Sequence, residues 1–192
     1  MTKGRLEAFS DGVLAVIITI MVLEIKVPRG TDPSAVVPMI PTMLSYVLSF
    51  VYVGIYWNNH HHLMHAALRI NGWIMWANLH LLFWLSLVPV GSGWVGANPK
   101  ASWPAAFYGF LLLMAGLAWL GLTRVLVAEN PDSVLAQVNT AQQRKGLASA
   151  VLYAAGIVVA FWMPYVSHAT YALVALLWFV PDRLIESKVA SA

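Results

Sequence analysis

The stretch "FSDGVLAVIITIMVLEI", Phe9 to Ile25, sets a serine and an aspartate ahead of a long apolar run and a glutamate near its far end. About 20 mostly apolar residues are enough to cross a bilayer as a helix, and this run has that length. Charges are costly in hydrocarbon, so Asp11 and Glu24 read as the two ends of a spanning helix. Whether either acid does chemistry depends on the rest of the chain.

The pattern recurs. Candidate spans cover about 9–27, 38–57, 70–90, 104–127, 147–163 and 168–180, each with the length or composition of a crossing. Turn-rich "VPRGTDPS" follows the first span, and the Gly/Pro-rich "GSGWVGANPKASWP" reads as a loop before the fourth. "AENPDSVLAQVNTAQQRKG" is the sizeable polar segment, expected as a loop with at most one surface helical turn. From Gly146 to Pro181 no Asp, Glu, Lys or Arg occurs, and "WMPYVSH" breaks that stretch into two helices. The expected fold is an all-α integral membrane protein, one domain over 1–192 with six transmembrane helices.

Composition agrees. Of 192 residues 60% are hydrophobic and 10% charged, where a soluble domain carries about a quarter charged residues. So little charge cannot cover a compact globule, and the lipid bilayer must face much of the chain. The absence of cysteine excludes disulfides and thiolate or cysteine-based metal chemistry. A net charge of +3 gives no argument for nucleic acid.

Six spans put both termini on one side, with Lys3, Arg5, Arg69, Arg124, Arg144, Lys145, Arg183 and Lys188. The opposite side holds Lys26, Arg29 and Lys100. By the positive-inside rule the termini are cytoplasmic. Trp57, Trp73, Trp94, Trp103 and Trp178 fall near expected helix ends, as an interfacial aromatic belt requires. The first span lacks a small-x-small cleavage site after its apolar core and does not read as a signal peptide.

At about 100° per residue, with Val16 at zero, Ile20 falls at about +40°, Leu23 at about −20° and Thr19 at about −60°. Gly12 joins this stripe at its cytoplasmic end. Asp11 and Ser10 point away, towards neighbouring helices, and a buried carboxylate there needs a partner. Arg5, Asn58, Asn59, the run His60–His62 and Arg183 lie on the same membrane side. Apolar residues at helical spacing mostly mean core or lipid contact, and threonine can bond its own backbone. Periodicity alone leaves the stripe's role open.

"RLEAFSD" reads Arg-x-x-x-Phe-Ser-Asp, with Arg5, Phe9, Ser10 and Asp11, and opens the first apolar helix. With "VLEIKVP" at that helix's end, "YWNNHHH" after the second span and "WFVPDR" after the sixth, the chain resembles the prokaryotic members of the transmembrane protein 175 family. These bacterial proteins are relatives of the endolysosomal potassium channel. The resemblance covers essentially the whole chain as one six-helix repeat, and it implies a homotetrameric ion channel whose central pore is lined by the first helix of each subunit.

Apolar layers on that helix, matching Val16, Ile20 and Leu23, form the family's constriction. A threonine layer linked to potassium preference matches Thr19. Related sequences often carry isoleucine or leucine where this chain has Val16, so Ile20 is the expected narrowest point. Arg5, Phe9, Ser10 and Asp11 are expected to latch the first helix, with Asn59, His60, His61 and Arg183 as possible partners.

Other motifs carry less. "GSGWVG" satisfies the dinucleotide-binding spacing but follows a membrane span in place of a strand. His61 and His65 stand at i, i+4, a spacing compatible with two metal ligands, although structural polar contacts are the expected role of the cluster. His80, within the third span, is expected to be a satisfied neutral histidine. No nucleophile–base set is evident, so no enzyme, cofactor or resident metal is expected. The expected function is potassium transport, with other monovalent cations also passing, through a channel in the cell membrane. The competing reading is a proton-coupled transporter or proton pathway using His80, Asp11 and the His60–His65 cluster.

Overall fold

A computed structural model describes residues 2–28 and 30–179, over 134–141 by their backbone. Its helices are α1 (Lys3–Leu23), α2 (Ile40–Ala66), α3 (Gly72–Ser86), α4 (Val88–Ala97), α5 (Ser102–Glu129), α6 (Val134–Val159) and α7 (Pro164–Phe179). A 3₁₀ turn over Pro33–Met39 leads into α2. The protein is all-helical over the described residues.

Helix boundaries follow local chemistry. The Asn71 side chain accepts from the backbone N–H of Ile74 at 3.0 Å and starts α3, the usual duty of an N-cap. Pro164 opens α7, where a missing N–H is harmless. Leu87 alone separates α3 from α4. Pro89 in the first turn of α4 has no N–H to continue the ladder, so the stretch Gly72–Ala97 is interrupted there. Among the described residues, four stretches are long and apolar enough to cross a membrane, namely Lys3–Leu23, Pro33–Ala66, Gly72–Ala97 and Ser102–Glu129.

Three expectations on element boundaries change. The "GSGWVG" stretch is helical, lying within α4. A Cβ on Gly91 would meet Leu111 Cδ1 at 2.8 Å, and one on Gly96 would meet Thr42 Cα at 2.8 Å. The small residues therefore let α4 lie against α5 and α2, as they do between membrane helices generally. The polar segment is also largely helical, because α6 starts at Val134, well ahead of its apolar part. And α2 continues through the histidines to Ala66, so Trp57 sits within the helix and not at its end.

Loops gather at two ends of the bundle. At one, buried Asn130 accepts from the backbone N–H groups of Leu68 and Arg69 at 3.0 and 2.7 Å. It thereby ties the α2–α3 connection to the α5–α6 turn. Lys3 Nζ donates to the carbonyls of His65 and Ala67 at 2.8 and 3.1 Å, bringing the N-terminus to the same end. Lys145 stands over the Trp178 ring at 4.7 Å there too. At the other end His168 Nε2 bonds the Pro99 carbonyl at 3.1 Å, joining the start of α7 to the α4–α5 turn. Alternation of ends is what a multi-pass chain requires.

The second half is tied together by tyrosines. Tyr52 donates to the Tyr171 carbonyl, Tyr153 to the Tyr52 hydroxyl, and Tyr171 to the Ala105 carbonyl. Ser49 and Tyr108 share a bond of 2.8 Å. Lipid competes for apolar contact but satisfies no hydroxyl, so such bonds favour helix over lipid neighbours. Gly109 and Gly156 leave the space that the Tyr171 ring fills.

The first helix and its latch

One face of α1 is sealed against its own chain. Leu6, Ser10, Leu14, Ile17 and Met21 are buried, and the helical repeat puts them in one stripe. They pack with α2, α3 and α4. Between membrane helices this packing works through close van der Waals fit and interhelical hydrogen bonds, because lipid tails are as apolar as leucine.

Ser10 is the polar member of that face. Its hydroxyl donates to the Leu6 carbonyl at 2.9 Å and accepts from Asn78 Nδ2 at 2.9 Å. Asn78 Oδ1 in turn meets His60 Nε2 at 2.8 Å, as acceptor from it. All three residues are buried. A polar chain thus runs from α1 through α3 to α2, and its contacts satisfy the groups it takes from water.

Asp11, one residue on, lies at the rim. Its Oδ1 accepts from Trp57 Nε1 at 3.0 Å. Both residues are exposed in the lone chain.

Of the expected latch residues, the structure brings Ser10 and His60 together through Asn78, and Asp11 to α2 through Trp57. Sequence reading passed over Asn78 entirely and took Trp57 for an interfacial anchor. An asparagine in the middle of an apolar span was the available signal, since such a group needs partners. Asn59 bonds Ile55 of its own helix. His61 stacks on His65. Arg5 and Phe9 are on exposed positions of α1, and Arg183 lies outside the described residues.

The remaining face of α1 is exposed among the described residues. Val16 is 55% exposed, Ile20 44% and Leu23 79%, and Thr19 and Gly12 are exposed beside them. The Thr19 hydroxyl donates to the Val16 carbonyl at 2.8 Å, as threonine does within membrane helices. Its proton is thereby committed, and the oxygen's lone pairs are left to accept from water or to face a cation. Glu24 ends the helix with its carboxylate beside Gly93 of α4.

Geometry and comparison now agree on a class: a multi-pass helical membrane protein. The chain belongs to the TMEM175 family. The family described as endosomal/lysosomal potassium channel TMEM175 matches residues 5–89. A potassium channel of Chryseobacterium sp. (strain P1-3) is 49% identical over 190 residues, covering 98% of each chain. The endosomal/lysosomal proton channel TMEM175 of Danio rerio is 39% identical over 75 residues, 33% of this chain and 14% of that one. The crystal structure of a lysosomal potassium-selective channel TMEM175 homolog from Chamaesiphon minutus superposes with a TM-score of 0.81 at 25% identity, covering 92% of this chain and 95% of that one.

Proposed function

We propose that this protein is a potassium-permeable cation channel of the cell membrane, four copies surrounding a pore lined by α1. One observation carries the pore assignment. Val16, Thr19, Ile20 and Leu23 form a continuous stripe that the described residues leave exposed, while the opposite face of α1 is buried against α2, α3 and α4. Four such stripes facing one axis make stacked apolar rings with a hydroxyl ring between them.

Apolar rings exclude water when narrow and so gate by dewetting. When wider they pass cations, at a cost set by how readily an ion sheds part of its hydration. Potassium holds its water less tightly than sodium, and Thr19 oxygens replace some of what is lost. Without a cage of backbone carbonyls, the preference for potassium is moderate. The end of the bundle with Lys3, Arg69 and Lys145 is the cytoplasmic one, by the charge bias of the loops.

The proton-coupled alternative finds less support. His80 is exposed on α3 and accepts from Trp84, one turn along its own helix, at 3.3 Å. It makes no step towards Asp11 or the His60–His65 cluster.

The test is reconstitution of purified protein into liposomes, with potassium and sodium flux compared under equal gradients. Passive flux that favours potassium and changes on substitution of Ile20 supports the channel. Flux that appears only with a proton gradient, or none from intact tetramers, overturns it.

A further inference from the structure

His61 and His65 are the polar cluster that the latch leaves unused. Both are exposed, they stand one turn apart on α2, and their rings stack with centroids 6.2 Å apart at 20°. His62 meets His61 edge-on at 5.6 Å, but neighbours in sequence do not share a helix face. His60 points the other way, into the bond with Asn78.

Two imidazoles at i, i+4 on a helix are spaced to chelate one ion. The backbone holds them on one face, so only side-chain rotations separate the stacked pair from a chelate. Imidazole suits zinc, nickel and copper, and the two rings, 6.2 Å apart between centroids, have to turn towards each other to bring their nitrogens about 2.0–2.1 Å from one ion.

The packing of α1 on α2 supplies more. Lys3 bonds the carbonyl of His65, and Asp11 takes the hydrogen bond of Trp57. These two contacts set the helices antiparallel, with Lys3, Glu7 and Asp11 on successive turns of α1 and His65, His61 and Trp57 on successive turns of α2. Glu7 therefore falls opposite His61, and it is half-exposed. No three His, Asp or Glu side chains converge as they stand among the described residues, so the carboxylate has to turn to reach a metal held by the histidines.

We propose that His61 and His65 form a binding site for a divalent transition-metal ion at the cytoplasmic end of α2, with Glu7 of α1 as third ligand. The remaining position is open to water. Such a site joins the start of the first helix to the second through one ion. It stands independently of the transport reading, because binding is measured without flux.

The experiment is equilibrium dialysis of the full chain, purified without a histidine tag, against nickel and zinc chloride in detergent. The expected result is about one ion per chain, as a single chelate provides, with loss of binding in His61→Ala and in His65→Ala. His62→Ala and His168→Ala should bind as the parent does. Thermal unfolding of the variants without metal checks that each is folded. Parent protein that retains no metal above a detergent blank overturns the site, as does undiminished binding in a folded His61→Ala or His65→Ala variant. Weakened binding in Glu7→Gln supports the third ligand; binding equal to the parent removes Glu7 from the set.

Discussion

The indole nitrogen of Trp57 lies 3.0 Å from Oδ1 of Asp11, so the acid that opens the first apolar helix is held by a neutral donor on the second. An interhelical bond of this kind contributes about 0.6–2 kcal/mol. Trp57→Phe keeps the ring and removes the donor, and should lower the melting temperature of the detergent-solubilised protein by a few degrees. Asp11→Asn retains an acceptor oxygen and should be milder than Asp11→Ala, which should lower the yield of assembled protein. Equal melting of parent and Trp57→Phe would remove this bond from the latch.

Asn78 serves two partners at once, donating to Ser10 and accepting from His60. Asn78→Leu should be the costliest substitution in the latch, at about 1–3 kcal/mol for each buried group left unpaired. Ser10→Ala removes one end of the chain and should cost less. Thermal melts of Asn78→Leu, Ser10→Ala and the double variant should show sub-additive losses, since the two positions share a bond. Strict additivity would mean the two side chains act separately.

Ile20 is the expected narrowest ring. Ile20→Asn should wet that ring and raise the rate of potassium flux from liposomes, with little change in melting temperature, because Ile20 lies on the exposed face of α1. Unchanged flux from well-assembled protein would take the pore away from this stripe.

The glycines of α4 make a prediction about packing. Gly96→Val should destabilise by about 1–3 kcal/mol through overpacking against the Thr42 backbone, read as a loss of melting temperature and yield. Gly54→Ala, with nothing near an added Cβ, should melt as the parent does.

Much of this was legible in the residues. Long apolar runs place membrane helices because hydrocarbon leaves the backbone no other way to satisfy itself, and the stripe on α1 emerges from its helical repeat. What escaped was local. In "GSGWVG" glycine and serine signal a loop in water, yet between membrane helices small residues permit close approach, and α4 uses them so. The polar run before Gly146 is helical although hydropathy marks it only as outside the membrane. Asn78 could not be matched to Ser10 and His60 by pattern, because their sequence separations carry no period. Trp57 looked like an anchor because α2 was ended too early.

The two faces of α1 answer to different masters. Leu6, Ser10, Leu14, Ile17 and Met21 are constrained by the chain they belong to, while Val16, Thr19, Ile20 and Leu23 are exposed among the described residues. Substitution on the second set need not disturb the first. Descendants of such a protein are free to exchange one permeation property for another, position by position, while inheriting an unchanged scaffold.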